Sequence, residues 1–146
     1  MVGWHTARLG DHDTAREHCR AALALHRQHH HAEGEAATLD SLGYIEHRTG
    51  HHHRAIGHYR AAVALFRALG DSNETATTLD RLGHPHAALG DHAGARAVWQ
   101  EALELCRQQD RAADAERLRR QLDELDRAER ALQDTTTADS ASVGRD

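Results

Sequence analysis

The chain is 146 residues long with a formal charge of −5 and only 3% aromatic residues, which fits one folded unit whose core is filled by Ala and Leu. The negative balance excludes a strongly basic footprint, so no direct nucleic-acid partner is expected. All 18 basic residues are arginine, and without lysine the chain has no Walker A phosphate loop, no Schiff-base amine and no Ser-Lys nucleophile.

Helix-favouring Ala, Leu, Arg and Glu abound, β-branched residues are sparse and the one proline is Pro85, so the elements are read as helices throughout. Residues 2 to 9 read as the end of a helix, and 12 to 30 as a second helix turned back on it, with Gly10 permitting the left-handed stop. Residues 34 to 49 and 52 to 69 form the next pair. Leu39, Leu42 and Ile45 face inward from one helix, and Ile56, Tyr59, Val63 and Phe66 from the other. Residues 73 to 89 and 92 to 109 form a third pair, opened by Asp71 with Glu74 three positions on, a start like a capping box. Gly70 closes the helix before it.

Pro85 lies inside that third pair, where a proline removes one backbone bond and costs about 3 kcal/mol unless the helix bends. A bend is expected near Arg81 to Pro85. A last helix, 111 to 133, carries Leu118, Leu122, Leu125 and Leu132 among charges. Capping the third pair is favoured over pairing with another chain as a short coil, in which Glu129 would occupy the seam. The polar, Thr/Ser-rich stretch 134–146 is expected to be disordered. The folded domain is therefore 1–133, made of a partial repeat 1–30, repeats at about 34–69 and 73–109, and the terminal helix 111–133.

The pairs repeat at 40 residues. Leu9-Gly10-Asp11, Thr49-Gly50-His51 and Leu89-Gly90-Asp91 fall in register, as do Ala15, Ala55 and Ala95, and then Cys19, Tyr59 and Trp99. Leu39-Asp40-Ser41-Leu42-Gly43 repeats as Leu79-Asp80-Arg81-Leu82-Gly83. Such units bury their apolar faces only against neighbours, an architecture that offers a surface for holding another molecule. Met1 corresponds to Ser41 and Arg81, the middle of a leading helix, so half of that helix is expected to be missing. The chain then reads as a fragment of a longer ancestor or as an end covered by a partner, with a misassigned start codon as the alternative.

Leu42, Gly43, Gly50, Ala55, Tyr59 and Ala62, and again Leu82, Gly83, Gly90, Ala95, Trp99 and Ala102, resemble the tetratricopeptide repeat, with a partial unit at Gly3, Gly10, Ala15, Cys19 and Ala22. The 40-residue form is similar to arrays at the C-terminal ends of actinobacterial transcriptional regulators and signalling NTPases. The resemblance implies an all-α, right-handed superhelical solenoid with a C-terminal capping helix, serving as a non-enzymatic protein-interaction scaffold in a regulatory or signalling context. It implies a concave face bearing Asp40, Tyr44, His47, Asp80 and His84, extended by Trp4 and Glu124, that meets a protein or peptide partner. Tyr44 would stack and the aspartates would accept hydrogen bonds. Related long repeats often place an asparagine before the Leu-Gly pair, where this chain has Ser41 and Arg81. The competing expectation is a truncated remnant of a larger regulator that self-associates through residues 1 to 30 and has no dedicated ligand.

Other chemistry finds little support. His29-His30-His31 and His51-His52-His53 invite a metal reading, but the first cluster lies between repeats and the second within one, at opposite ends of helices roughly 27 Å long. They cannot share an ion, and no metal site or cofactor is expected. Protonating all fifteen histidines would add fifteen positive charges to the formal −5, so a pH response is a lesser alternative reading. No HExxH or GxSxG occurs, and His31-Ala32-Glu33 lacks the Pro-Cys-x-x-Cys half of a deaminase signature. No catalytic residue is assigned. Cys19 and Cys106 belong to no CxxC pattern and read as small core residues. With no apolar run of spanning length and no basic leader followed by one, a reducing, cytoplasmic setting without membrane contact is expected.

Overall fold

A computed structural model describes the backbone of residues 4–143 and the side chains of residues 11–141. Among these residues there are six helices and no strand: α1 (Trp4–Gln28), α2 (Ala32–Arg48), α3 (His52–Ala68), α4 (Ser72–Ala88), α5 (His92–Gln108) and α6 (Ala112–Val143). Each helix packs on the next, and α2 also meets α4. The pairs α2–α3 and α4–α5 therefore stack as an all-α solenoid, with the leading helices α2, α4 and α6 in one row.

The turns show a period of 20 residues, half that of the sequence. The backbone is left-handed at His30, Gly50, Gly70, Gly90 and Asp110. At every one, the amide of the following residue bonds back five residues, from His31 to His26, His51 to Glu46, Asp71 to Phe66, Asp91 to His86 and Arg111 to Cys106, at 2.8–3.0 Å. This is the Schellman closure, which satisfies carbonyls that the helix end leaves open. Asp71 and Asp91 then start the next helices, each accepting an amide N–H three residues on, from Glu74 and Gly94, at 3.0 Å.

Close approach within each pair rests on the Leu-Gly step. A Cβ on Gly43 would lie 2.7 Å from the Tyr59 ring, and one on Gly83 2.0 Å from Trp99 Nε1. Only glycine lets the aromatic of the second helix lie flat on the first. The buried indole N–H of Trp99 donates to the Asp80 carbonyl at 2.9 Å, so the largest core side chain leaves no polar atom unpaired. Pro85 is fully buried at the position Ile45 takes one repeat earlier. Helix α4 runs through it and keeps the 17-residue length of α2, α3 and α5. The ring acts as a core residue, which offsets the backbone bond it removes.

Two boundaries differ from expectation, both at in-phase turn positions. Gly10 belongs to the series 30, 50, 70, 90, 110, yet α1 is one continuous 25-residue helix through it. A left-handed stop is worthwhile when a helix beyond it packs back. Glycine permits such a stop without requiring it, and at Gly10 the unbroken hydrogen-bond ladder of α1 wins. At the other end Arg130 occupies the turn phase, and a side chain of that size disfavours the left-handed region. Helix α6 continues through Val143, so the stretch from 134 expected to be disordered is helical as far as 143. Thr135, Thr136 and Thr137 each donate a hydroxyl to the carbonyl four residues back.

The first part of α6 is a leading helix turned into a cap. Leu118 and Leu125 are buried and Leu122 packs on the same core. The positions that meet the second helix in complete pairs have become charged: Ala36 and Ala76 give way to Glu116, Leu39 and Leu79 to Arg119, Gly43 and Gly83 to Asp123, all exposed. Glu129, the seam residue of the coil reading, bonds instead to Arg96 at 2.5 Å.

Candidate partner-binding face

The row α2, α4, α6 carries the sequence-predicted site residues, and the structure divides them into two kinds. Asp40 and Asp80 point at the neighbouring leading helix and are only 9% and 8% exposed. Arg81 on α4 pairs with Asp40. One repeat on, Gln121 on α6 donates to Asp80 Oδ1 at 3.0 Å, and Arg117 donates to its Oδ2 at 2.6 Å. Both rungs span 41 residues, Asp40 to Arg81 and Asp80 to Gln121. The aspartates are thus inter-repeat ties rather than open acceptors. Burial pushes the Asp40 carboxyl above its ordinary value, further than the adjacent Arg81 guanidinium pulls it down.

Tyr44, His47 and His84 make the second kind. Tyr44 is half exposed, with the Arg48 guanidinium 5.9 Å from its ring centre, a cation–π placement. His47 of α2 and His84 of α4 stand ring to ring at 6.4 Å, and His84 meets Trp99 edge-on at 5.4 Å. His47 Nδ1 lies 3.0 Å from His52 Nδ1 across the turn, so in the neutral pair one ring donates and the other accepts. Burial first, then His52, His84 and Arg48, holds His47 below the ordinary imidazole value. Glu124 is exposed on α6 in phase with Tyr44 and His84. The side chain of Trp4 lies outside the described residues.

The exposed chemistry of the row is therefore aromatic and cationic on α2 and α4, with the Glu124 carboxylate on α6. Arg81 and Arg117 are each about half exposed and keep guanidinium N–H groups beyond those spent on the aspartates. Local sequence patterning reads an Asp on a helix as an available acceptor and cannot see a cation 41 residues away. The signal was the register itself, which sets Arg81 beside Asp40 once helices 40 residues apart are neighbours.

A second buried polar set ties the turn ends. Glu46, 1% exposed, accepts from Arg16 Nε at 2.5 Å, with His51 at 3.4 Å and Arg54 at 3.7 Å. Burial alone would raise its carboxyl, but Arg16, with His51 and Arg54, holds it below the ordinary carboxylate value. One repeat later the pair is inverted: buried His86 meets Asp91 at 2.8 Å. These contacts tie the ends of neighbouring helices. Among the described residues no cluster of three or more His, Cys, Asp or Glu is placed to hold a metal ion, and no helix is long and apolar enough to cross a membrane.

The profile of the tetratricopeptide repeat matches residues 3–68 and 35–108. Among solved structures, the crystal structure of BtubC (BKLC) from P. vanneervenii is similar, with a TM-score of 0.65 and 20% sequence identity over 87% of this chain and 60% of that one. The chain thus spans three fifths of that protein's length, and the likeness concerns the fold. Among curated proteins there is no match.

Proposed function

From the premise that the chain belongs to the tetratricopeptide repeat family, whose repeats are generally protein-interaction modules, we propose that it is a non-enzymatic adaptor working in a regulatory or signalling context in the cytoplasm. Its partner is a protein segment that lies across the leading helices and brings oxygen acceptors to Arg81 and Arg117 while packing on Tyr44 and His84. The observation that carries this reading is the division of the row. Asp40 and Asp80 are consumed within the array, and their ties hold two half-exposed guanidinium groups at fixed positions beside two exposed rings. Arginine offers a rigid fork suited to carboxylate and carbonyl oxygens. Such a face recognises by complementarity and supplies no reacting group.

The test is affinity capture from native extract, followed by calorimetry with the recovered partner. Replacing Tyr44 and His84 together by alanine is expected to weaken binding at least about tenfold, the scale of one interface anchor, with helical content unchanged. Unchanged affinity would contradict the assignment of the face.

A further inference from the structure

The second helices carry a basic face that the leading-helix row does not use. Helix α3 alone among the six has no acidic residue, and it carries Arg54, Arg60 and Arg67 in a chain whose formal charge is −5. Along its outer side His53, Gly57, Arg60, Ala64 and Arg67 are all exposed, at the alternating spacing of four and three that keeps residues on one helix face. The 40-residue register sets Arg20, Ala24 and Arg27 of α1 in phase with Arg60, Ala64 and Arg67, and these are exposed as well. A Cβ on Gly57 would meet nothing within 4 Å, so small residues leave an open floor between the guanidinium groups. Arg27 and Arg67 are already tied, to Glu35 at 3.0 Å and to Glu101, and Arg54 stands 3.7 Å from Glu46. Among the described residues no ion pair closes on Arg20 or Arg60. The carboxylate that feels Arg60, Asp91, is held by His86 and the Gly94 amide. Half-buried His58 links the two helices electrostatically: burial first, and then Arg20, Arg27 and Arg54 against the pull of Glu46, holds its imidazole below the ordinary value.

We infer that this α1–α3 face docks an acidic helix of a partner protein, whose carboxylates meet Arg20, Arg60 and Arg67 above the floor made by Gly57 and Ala64. Charge complementarity selects the occupant. Two unpaired guanidinium groups beside an all-basic helix call for anions, and the guanidinium fork matches carboxylate oxygens. Spacing selects a helix. Arg60 and Arg67 are seven residues apart, roughly 10 Å along α3 at 1.5 Å per residue, and Gly57 and Ala64 alternate with them, so a second helix can lie close and present a carboxylate every two turns. A long polyanion is disfavoured, because the chain as a whole is net negative and repels phosphates that run beyond the patch. This goes beyond the partner-binding row, because it rests on α1 and α3 rather than on the leading helices.

Calorimetry of the full chain with a synthetic alanine-rich helical peptide carrying glutamate at every seventh position tests it. Saturable one-to-one binding that weakens as salt rises is expected, with no binding of the glutamine counterpart; no binding of the glutamate peptide, or equal binding of both, would overturn it. Arg20→Gln combined with Arg60→Gln should weaken the complex at least about fivefold, the scale of two exposed ion pairs. Arg120→Gln with Arg127→Gln, which removes the same charge from exposed positions of α6, should leave it unchanged. Equal weakening by the two variants would show a diffuse effect of charge and sink the proposal. Should the first variant lose helical content, the wild type serves instead: bound carboxylates offset Arg20, so the NMR titration of His58 should move upward with the peptide present, and an unmoved His58 would place the peptide elsewhere. Tighter binding of duplex DNA than of the peptide would assign the face to phosphate, and self-association that is lost with Arg20 and Arg60 would assign it to a second copy; either result would overturn the acidic partner helix.

Discussion

At the α6 end, Glu116, Arg119 and Asp123 face water where the complete pairs have alanine, leucine and glycine; at the α1 end, Ala15, Cys19 and Ala22 keep core-type residues that are partly open among the described residues. One surface has been rewritten as a terminus and the other still has the composition of an interior. In a stack where each unit is stabilised by its neighbours, this difference decides where stability resides. The interior pairs, covered on both sides, supply the reference for both ends.

Substitutions at matched positions measure how far the ends depart from that reference. The largest contrast lies at the aromatic seat. Trp99→Ala is expected to cost about 3–5 kcal/mol, while Cys19→Ala, at the same phase on the open flank, should cost below about 1 kcal/mol; chemical denaturation with unchanged slope checks both. Next comes the buried carboxylate that joins α1 to α2. Glu46→Gln removes the buried carboxylate and leaves Arg16 with only the exposed Asp13 as a charged partner, and should cost about 3 kcal/mol at neutral pH. Because the fold holds the Glu46 carboxyl below its ordinary 4.5, the stability it contributes is fully present above that pH and is lost as the pH falls through the folded value. The gap between wild type and variant should therefore close on acidification, and a gap independent of pH would assign the pair no electrostatic role.

The same glycine-to-alanine change should have opposite signs in the interior and at the end. Gly90 is left-handed with φ 75°, so Gly90→Ala is expected to cost about 1–2 kcal/mol. Gly10 lies within a continuous helix, so Gly10→Ala should raise stability by up to about 1 kcal/mol. Loss of stability in both would mean that α1 turns at Gly10. The smallest effect concerns the turns that lack glycine. His30 and Asp110 adopt φ of 52° and 56°, and His30→Gly or Asp110→Gly should each stabilise by roughly 0.5–1 kcal/mol, read as a modest rise in melting temperature.

The interior was the legible part of the fold. Gly50, Gly70 and Gly90 mark turns by their conformational freedom, and the pairs Gly43 with Tyr59 and Gly83 with Trp99 declare a close approach through size alone. The ends were not legible in the same way, since Gly10 has the right residue and the right phase yet lies within a continuous helix, glycine permitting a left-handed turn without requiring one. Beyond Arg130, polar composition suggested disorder, whereas α6 continues to Val143 with the threonine hydroxyls turned back onto carbonyls four residues earlier. Of the candidate face, the exposed rings of Tyr44 and His84 could be read from position. The fate of Asp40 and Asp80 could not, because burial by Arg81, Arg117 and Gln121 is a property of neighbouring repeats rather than of any local pattern.

Residue-resolved hydrogen exchange tests the inequality of the two ends most directly. The account predicts slower exchange in α6 from Leu118 to Leu125, whose apolar face is buried, than in α1 from Ala15 to Ala22, whose core-type residues are partly open. Exchange in that part of α1 as slow as in α6, or slower, would contradict it.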